Sequence, residues 1–293
     1  MRIGKIFGVS IVLNPFFLLM LFGFGVAGLL PQALILFGIV LIHEASHLAV
    51  AKGYGLAVAE IELLPFGGVA RIEGMIEFDP AVERAVALAG PLTNLFLAGI
   101  CLILLRYAAL PRETALQLIQ NNLLMAGFNC LPALPLDGGR VYRAHLAKRI
   151  GYRRATERAA SVGQILAALF AVFGAAGLYL GYLNLTLILL AFFVFYAARK
   201  EKNLAAYAFI RYLAQKKEEL RRSGVLPTEQ LVAAADLPVR EIVKYFIPKR
   251  YHLVLLTDHN YEIIGLVTEI EIINALFDRG TATTLRDLTS HKP

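Results

Sequence analysis

Six long apolar segments fill most of the first 200 residues of this chain and restrict the folds that it can adopt. A helix needs roughly 20 mostly apolar residues to cross the hydrocarbon core of a bilayer. The segments approach or reach that length, and they are Val9–Leu30, Gln32–Ala51, Ala81–Leu105, Thr114–Leu131, Ser161–Leu180 and Leu183–Ala198. We therefore predict a polytopic α-helical membrane protein with six transmembrane helices. The first is predicted to be a span that is kept in the protein and not a cleaved signal peptide.

Charge supports this class and gives an orientation. Only 17% of the residues are charged, below the quarter that is usual for soluble domains. The net charge of +7 comes largely from lysines and arginines beside the apolar segments, as expected of topology signals. Their positions predict a multi-pass cell-membrane protein with both termini in the cytoplasm. Because no basic patch alternates with aromatic residues, we do not expect nucleic-acid binding.

A second type of structure is predicted between the second and third segments, at Val58–Phe78. Ile61, Leu63, Val69 and Ile72 flank a Pro-Phe-Gly-Gly turn, which is typical of a β-hairpin. The stretch is too short and interrupted to span a bilayer. We expect a membrane-associated hairpin that lies against protein or a wet cavity.

The composition changes after Ala198, and three domains are predicted: a six-span membrane domain (1–200), a linker helix (201–224) and a small α/β module (225–293). Within the module we expect a helix around Thr228–Ala234. Two strands, HLVLLTD and EIIGLVT, and a helix, EIEIINALFDR, should follow it.

The chemistry is concentrated in the sequence HEASH, inside the second apolar segment. Residues four apart stand on one helix face, so His43 and His47 can both direct a ring nitrogen at one ion. Glu44 then lies beside the ion and can accept a proton from the attacking water. Two helix-packing histidines are the alternative. Three ionisable residues inside a span favour a functional site, because each needs a partner there.

A third metal ligand is sought in NCLPALPLDGGR, where Asp137 is the one carboxylate. Pro132 and Pro135 break the helix, and Gly138 and Gly139 permit unusual backbone angles and close approach. The alternative is that Asp137 simply caps the helix that follows it. Together with HEASH in the same membrane, the ligand interpretation is favoured.

These motifs, with LLPFGG and AGPLTN between them, resemble the site-2-type intramembrane metalloproteases over roughly residues 40–145. The resemblance implies a zinc ion bound by His43, His47 and Asp137, with Glu44 as the general base. It also implies substrate contacts, which would come from Phe66, Gly67, Gly68, Asn129 and Pro135. Cys130 departs from the pattern, since many relatives have proline after the asparagine.

Six spans followed by a soluble module are most similar to the sporulation branch of this family. That similarity implies a membrane-tethered substrate, a sigma factor precursor, and inhibitory membrane partner proteins. It also implies location in the membrane that surrounds the forespore, if the source sporulates. An anti-sigma factor or another membrane protein is the alternative substrate.

The tail resembles a single CBS motif. Such motifs work in pairs, which implies a homo-oligomer formed through the module. In CBS modules a Thr and an Asp three residues later often contact an adenine nucleotide such as ATP. The matching residues here are Thr268 and Glu271, so the Asp is replaced. A module used only for docking is an equal alternative.

Two further functions are weighed against the protease. A CBS-regulated transporter or channel would spread inward-facing polar residues over several spans or show repeated halves. An inactive scaffold would have lost Glu44 or a ligand. In this sequence the charged residues at depth are concentrated in HEASH and PLDGG, which favours the enzyme.

Overall fold

The N-terminal region combines two strands with a short helix. The computed structural model describes residues 2–6, 9–64, 67–73, 79–181, 185–223, 225–247, 250–278 and 283–289. Strands β1 (Arg2–Ile6) and β2 (Val9–Leu13) pair antiparallel, and helix α1 (Pro15–Val26) follows them.

The predicted first span, Val9–Leu30, is therefore wrong in its extent. The chain leaves β2 at Asn14, whose side chain accepts a hydrogen bond from the backbone N–H of Phe16 (3.0 Å). Pro15 then takes the first helical position, where its missing N–H removes no hydrogen bond. This N-terminal cap makes α1 only 12 residues long.

The predicted hairpin is confirmed as strands β3 (Ala57–Leu64) and β4 (Gly67–Glu73). It belongs to a larger sheet than expected, because β3 also pairs in parallel with β2. The strand order is β1-β2-β3-β4, so β4 is an edge strand of this four-stranded sheet among the described residues. Both hairpin strands pack against α2 (Leu30–Gly53), the helix that precedes them in the chain.

Three helices of the described chain are long and apolar enough to cross a membrane: α2, α3 (Pro80–Arg106) and α6 (Tyr152–Tyr179). They correspond to the second, third and fifth predicted segments, and the fifth ends at Tyr179 where Leu180 was predicted. A helical membrane protein with three candidate spans is therefore supported.

Two shorter helices, α4 (Arg112–Asn129) and α5 (Asp137–Ile150), surround a tight loop. The loop holds Pro132 and Pro135, which cannot donate a backbone hydrogen bond and so end α4. Leu134 and Leu136 of the loop are buried, and this apolar anchoring fixes the point at which α5 begins.

Helix α7 (Leu185–Ser223) follows α6 in the chain and packs closely on it. Small residues permit the approach; a Cβ on Gly174 would lie 2.7 Å from the Ile188 side chain. The predicted linker helix, 201–224, is a continuation of α7 without a break in the described residues.

The C-terminal module contains a three-stranded sheet, β5 (Thr228–Ala234), β6 (Tyr251–Thr257) and β7 (Ile263–Thr268), in that order. The predicted helix around Thr228–Ala234 is wrong. The sequence TEQLVAA has no strong strand preference of its own, and parallel pairing with β6 decides its conformation.

The other module elements agree with the sequence. Strands β6 and β7 match the two predicted strands, and α9 (Glu269–Asp278) matches the predicted helix. Before β6 lie α8 (Val239–Ile242) and a 3₁₀ turn, and α10 (Arg286–Thr289) follows α9.

Contacts divide the chain into two compact units, 1–77 with 81–142, and 78–80 with 143–293. The division falls within α5, which begins in the first unit and ends in the second. The functional boundaries predicted at residues 200 and 224 stay a prediction.

In the second unit, Arg143 and Gly151 connect several elements. Arg143 is buried, donates a hydrogen bond to the Tyr152 hydroxyl (3.1 Å) and lies 3.5 Å from the Glu201 carboxylate. Gly151 has a φ of +80°, and a Cβ there would lie 2.8 Å from the Phe246 carbonyl oxygen. Only glycine fits this turn between α5 and α6 without strain.

Candidate metal centre

Helices α2 and α5 bring His43, His47 and Asp137 together. These side chains are almost fully buried, with exposed fractions of 2%, 5% and 7% for the three residues. Each offers one ligand atom, and the three atoms lie within 4.8 Å of one another. We call these three residues the metal cluster.

The three ligand atoms of the metal cluster form a nearly equilateral triangle. The His43 and His47 Nε2 atoms are 3.1 Å apart, and they lie 3.1 Å and 3.2 Å from Asp137 Oδ2. Tetrahedral zinc with ligands at about 2.0 Å separates those ligands by roughly 3.3 Å. The triangle therefore has the size that a single zinc ion requires.

Hydrogen bonds on the far side of each ring fix the direction of the lone pairs. The His47 Nδ1–H donates to the Val86 carbonyl oxygen (2.7 Å), and the His43 Nδ1–H donates to Asn94 Oδ1 (3.0 Å). With the ring proton on Nδ1, each Nε2 carries a lone pair directed into the triangle.

The chemistry of this donor set fits a cation. Two imidazole lone pairs and a carboxylate oxygen that meet at one point repel each other unless positive charge lies between them. Two nitrogen ligands and one oxygen ligand also match catalytic zinc sites, which keep a fourth position for water or substrate. The residues present thus fit zinc.

Helix α3 supplies the outer wall of the cluster. Val86, Gly90 and Asn94 are four residues apart, so they share a face of α3 opposite the two histidines of α2. A Cβ on Gly90 would lie 2.4 Å from His47 Nε2 and 2.5 Å from His43 Cε1. Only a residue without a side chain lets α3 approach this closely.

A backbone carbonyl of α3 also serves the cluster. The Val86 carbonyl oxygen accepts the His47 N–H. Pro91 lies inside the same helix and removes the backbone hydrogen bond to the next carbonyl, that of Ala87.

Asp137 is the first residue of α5, and the glycines that follow it set its position. A Cβ on Gly138 would lie 2.3 Å from the Cys130 carbonyl oxygen, and one on Gly139 would lie 2.3 Å from the Ala133 carbonyl carbon. These glycines are needed for close approach of α5 to the preceding loop. The unusual backbone angles predicted for them are not observed, since neither is among the residues with positive φ.

Glu44 is half-buried on α2, beside His43 and one turn from His47. It lies within electrostatic range of the metal cluster and of Arg140 on α5. Its carboxylate is therefore next to the ligand triangle without belonging to it.

The described residues that are predicted to contact substrate lie in three different elements. Gly67 and Gly68 belong to β4, paired with Leu64 and Leu63, and Phe66 lies outside the described residues. Asn129 ends α4 and donates to the Met125 carbonyl oxygen (3.1 Å). Pro135 is half-buried in the loop before α5.

The predicted nucleotide residues, Thr268 and Glu271, contact each other at the start of α9. The Glu271 carboxylate accepts hydrogen bonds from the Thr268 N–H and hydroxyl, both at 2.7 Å. The Thr268 hydroxyl oxygen in turn accepts the Glu271 N–H (3.4 Å), and this reciprocal arrangement is a capping box, in which a threonine and a glutamate satisfy the first turn of a helix.

Sequence reasoning missed Val86, Gly90 and Asn94, although it noted the AGPLTN motif. The four-residue spacing of Gly90 and Asn94 in an apolar helix was a usable signal, because a small and a polar residue on one face suit close packing on another helix. Val86 contributes only its backbone carbonyl, which no sequence pattern could reveal.

Comparisons with known proteins agree with this geometry. The model of Peptidase family M50 matches residues 31–118. A zinc metalloprotease from Methanocaldococcus jannaschii is 31% identical over 252 residues, which are 84% of this chain and 66% of that protein. Stage IV sporulation protein FB from Bacillus subtilis is 32% identical over 128 residues, 44% of each chain.

A solved structure is also similar. The site-2 protease from Methanocaldococcus jannaschii aligns with a TM-score of 0.56 and 33% sequence identity. The alignment covers 69% of this chain and 94% of that one.

Proposed function

The chain belongs to the site-2-type metalloproteases, and on this premise we propose that it is a zinc endopeptidase that cuts a membrane-tethered protein within the bilayer. The observation that carries the proposal is the triangle of two Nε2 atoms and one carboxylate oxygen, with a glutamate beside it. Because His43, His47 and Asp137 converge on one point, a hydrolase is favoured over a transporter or channel.

Each residue has a defined part in the proposed reaction. His43, His47 and Asp137 would hold the zinc, which when bound would supply Lewis acidity toward water and the substrate carbonyl. Glu44 accepts the proton of the attacking water and passes it to the leaving amine. Glu44 is suited to this transfer because it adjoins the ligand triangle and is not one of the ligands.

We place the substrate along β4. A peptide bond inside a helix is protected, so the substrate segment must unwind before cleavage. An edge strand offers backbone hydrogen bonds to such an extended segment. Strand β4 packs against α2, which carries Glu44, and Gly67 and Gly68 at its start have no side chain that could block an approaching backbone. Phe66, Asn129 and Pro135 are proposed as further contacts.

The test replaces Glu44 by glutamine in the full chain. Glu44→Gln keeps the shape of the side chain and removes its basicity, so cleavage of a co-expressed membrane-tethered substrate should be lost while zinc content is unchanged. Glu113→Gln, at an exposed glutamate near the start of α4, is the matched control and should cleave normally. Normal cleavage by Glu44→Gln would exclude the mechanism.

For the substrate we propose a sigma factor precursor. The similarity to Stage IV sporulation protein FB supports this choice over an anti-sigma factor. Co-expression with a membrane-bound sigma factor precursor, and separately with a membrane-tethered anti-sigma factor, distinguishes the two. Cleavage of the anti-sigma factor alone would reverse the assignment. Inhibitory membrane partners and location around a forespore follow only if the precursor is cut.

We also propose six spans with both termini in the cytoplasm. Besides the three long apolar helices, α1 and the first half of α7 expose large apolar side chains, including Phe16, Phe22 and Phe192, as lipid-facing segments do. Helix α4 is the remaining one of the six proposed spans. Reporter fusions at each terminus and at Ala109, between α3 and α4, test this topology; the termini should report one side and Ala109 the other.

The C-terminal module is proposed to be CBS-like and to join two copies of the chain. One face of its sheet is buried beneath helices, whereas Val232 and Leu266 lie exposed on the other face, in one row with Leu255. The double variant Val232→Lys, Leu266→Lys should give monomers in analytical ultracentrifugation of detergent-solubilised protein. An unchanged sedimentation coefficient would contradict a dimer formed through this face.

Nucleotide binding at Thr268 and Glu271 stays a prediction, and the capping box gives both residues a structural role that requires no nucleotide. Calorimetric titration of the full chain with ATP tests it. Binding that is lost in Glu271→Gln would support contact at this position, and no binding by the wild-type chain would leave the docking role.

A further inference from the structure

Two asparagines of the first unit are fully buried, and they differ in what their amides contact. Asn122 donates through Nδ2 to the Leu118 carbonyl oxygen of its own helix (2.8 Å). Asn94 reaches across from α3 to His43. Within the described part of the chain, one amide atom of each makes no hydrogen bond, Oδ1 in Asn122 and Nδ2 in Asn94.

A buried amide N–H without a partner costs free energy, because it has lost its hydrogen bond to water. Leucine would fill nearly the same space as Asn94 without that cost. The presence of the amide is therefore best explained by its other atom, Oδ1, which accepts the His43 Nδ1–H at 3.0 Å.

The contact decides where His43 carries its proton. Neutral imidazole has one N–H, and the carbonyl oxygen of Asn94 can only accept a hydrogen bond, so it favours the proton on Nδ1. The other tautomer would place the proton on Nε2. The Nε2–H would then donate a hydrogen bond to Asp137 Oδ2, 3.1 Å away, and the proton would occupy the position where an ion binds.

We propose that Asn94 is a positioning residue that holds His43 in its metal-binding tautomer. In the metal-free protein it disfavours the tautomer in which His43 Nε2–H donates a hydrogen bond to Asp137. This role rests on the proposed zinc site and concerns assembly of that site. Asn94 touches the ligand ring and neither the ion nor the substrate.

The experiment compares Asn94→Leu, Asn94→Asp and Asn122→Leu as full-length proteins in detergent. Zinc affinity is measured by competition with a chelator of known affinity. Loss of a group that orients a metal-ligating histidine weakens binding by about 10- to 100-fold, which is the result expected for Asn94→Leu. Asn94→Asp keeps an acceptor oxygen and should stay within about threefold of wild type, as should Asn122→Leu.

A second readout separates tautomer control from a general packing effect. In metal-free protein with ¹⁵N-labelled histidine, the wild-type His43 should show its proton on Nδ1, and Asn94→Leu should move it to Nε2. Asn122→Leu should leave the spectrum unchanged. If Asn94→Leu does not fold, Asn94→Ala is measured in the same way.

Wild-type zinc affinity in Asn94→Leu or Asn94→Ala would overturn the proposal, and so would an unchanged tautomer or a loss of zinc in Asn94→Asp equal to that in Asn94→Leu. Failure of the proposed function gives a different result, because the wild-type chain would then bind no stoichiometric zinc.

Discussion

Among the described residues, histidine is buried beside carboxylate in two places, and the comparison shows what distinguishes a site from a structural contact. In the metal cluster, the Nε2 lone pairs of two histidines face one carboxylate oxygen. In the C-terminal module, fully buried His252 lies against fully buried Glu269 on α9. We call the latter two residues the module pair.

The module pair uses both ring nitrogens within the protein. His252 Nδ1–H donates to Glu269 Oε2 (2.8 Å), and His252 Nε2 accepts the Ile247 N–H (2.9 Å). The His252 backbone N–H also donates to Glu269 Oε2 (2.7 Å), and the Phe246 ring stacks on the imidazole. No lone pair remains directed at a common point, so burial of histidine and carboxylate does not by itself indicate a metal.

The two places should respond differently when the carboxylate is replaced by an amide. Asp137→Asn removes a charged zinc ligand, and zinc affinity should fall by roughly 1000-fold or more. Glu269→Gln should leave zinc affinity at the wild-type value, since both ring nitrogens of the module pair are already hydrogen-bonded within the protein. Metal analysis of the purified proteins and chelator competition measure both effects.

Unchanged zinc stoichiometry in Asp137→Asn would show that the metal cluster is misplaced. If the Glu269→Gln variant folds normally but loses zinc, the module pair would instead belong to a metal site.

The reciprocal test removes a histidine from the module pair. His252→Leu leaves the Ile247 N–H without its acceptor and takes one hydrogen bond from a buried carboxylate, which should destabilise the module by about 3 kcal/mol. Hydrogen exchange of β6 should accelerate by roughly 100-fold, while zinc affinity stays unchanged.

His259→Leu is the matched control, because this histidine of the same module is largely exposed. It should leave hydrogen exchange of β6 at the wild-type rate. Equal acceleration in both variants would mean that the module pair has no special part in stability.

A third test concerns the approach of α3 to the metal cluster. Gly90→Ala places a methyl group against both imidazoles, and the rings must move, so zinc affinity should fall by about tenfold. Gly99→Ala on the same helix has nothing within 4 Å of the new carbon and should bind zinc normally. If the two variants bind zinc equally well, the close contact at Gly90 is not needed for metal binding.

The smallest effect is expected at the capping box of the module. Thr268→Ala removes the hydroxyl that caps α9 and should destabilise the module by about 1 kcal/mol. Thr284→Ala is the control, since Thr284 makes the same contacts to Asp287 before α10, a helix of only four residues. Urea unfolding, monitored by hydrogen exchange, should show the larger loss of unfolding free energy in Thr268→Ala.

The sequence allowed the apolar helices, the β3–β4 hairpin and the strands β6 and β7 to be predicted, because each is specified by a local pattern. Residues His43 and His47 could be paired for the same reason, since their spacing alone places them on one helix face. The proximity of Asp137 to them was an interpretation that depended on motifs more than eighty residues apart.

The rest depends on contacts between distant segments. Strand β5 has a sequence without clear strand preference, and its partner β6 determines its form. The short first helix depends on the Asn14 cap within an otherwise continuous apolar run. The contact of Asn94 with His43 joins two helices, and neither residue has a local pattern that specifies the other.

The parallel pairing of β2 with β3 has a consequence for biosynthesis. Two helices, α1 and α2, lie between these strands in sequence, so the ribosome must release both before β3 can pair. Until then the β2 edge of the β1–β2 hairpin is unpaired. An unpaired strand edge in a nascent chain is exposed to pairing with the wrong segment. The proposed substrate edge β4 therefore forms last in its sheet, after the HEASH helix that it serves has been made.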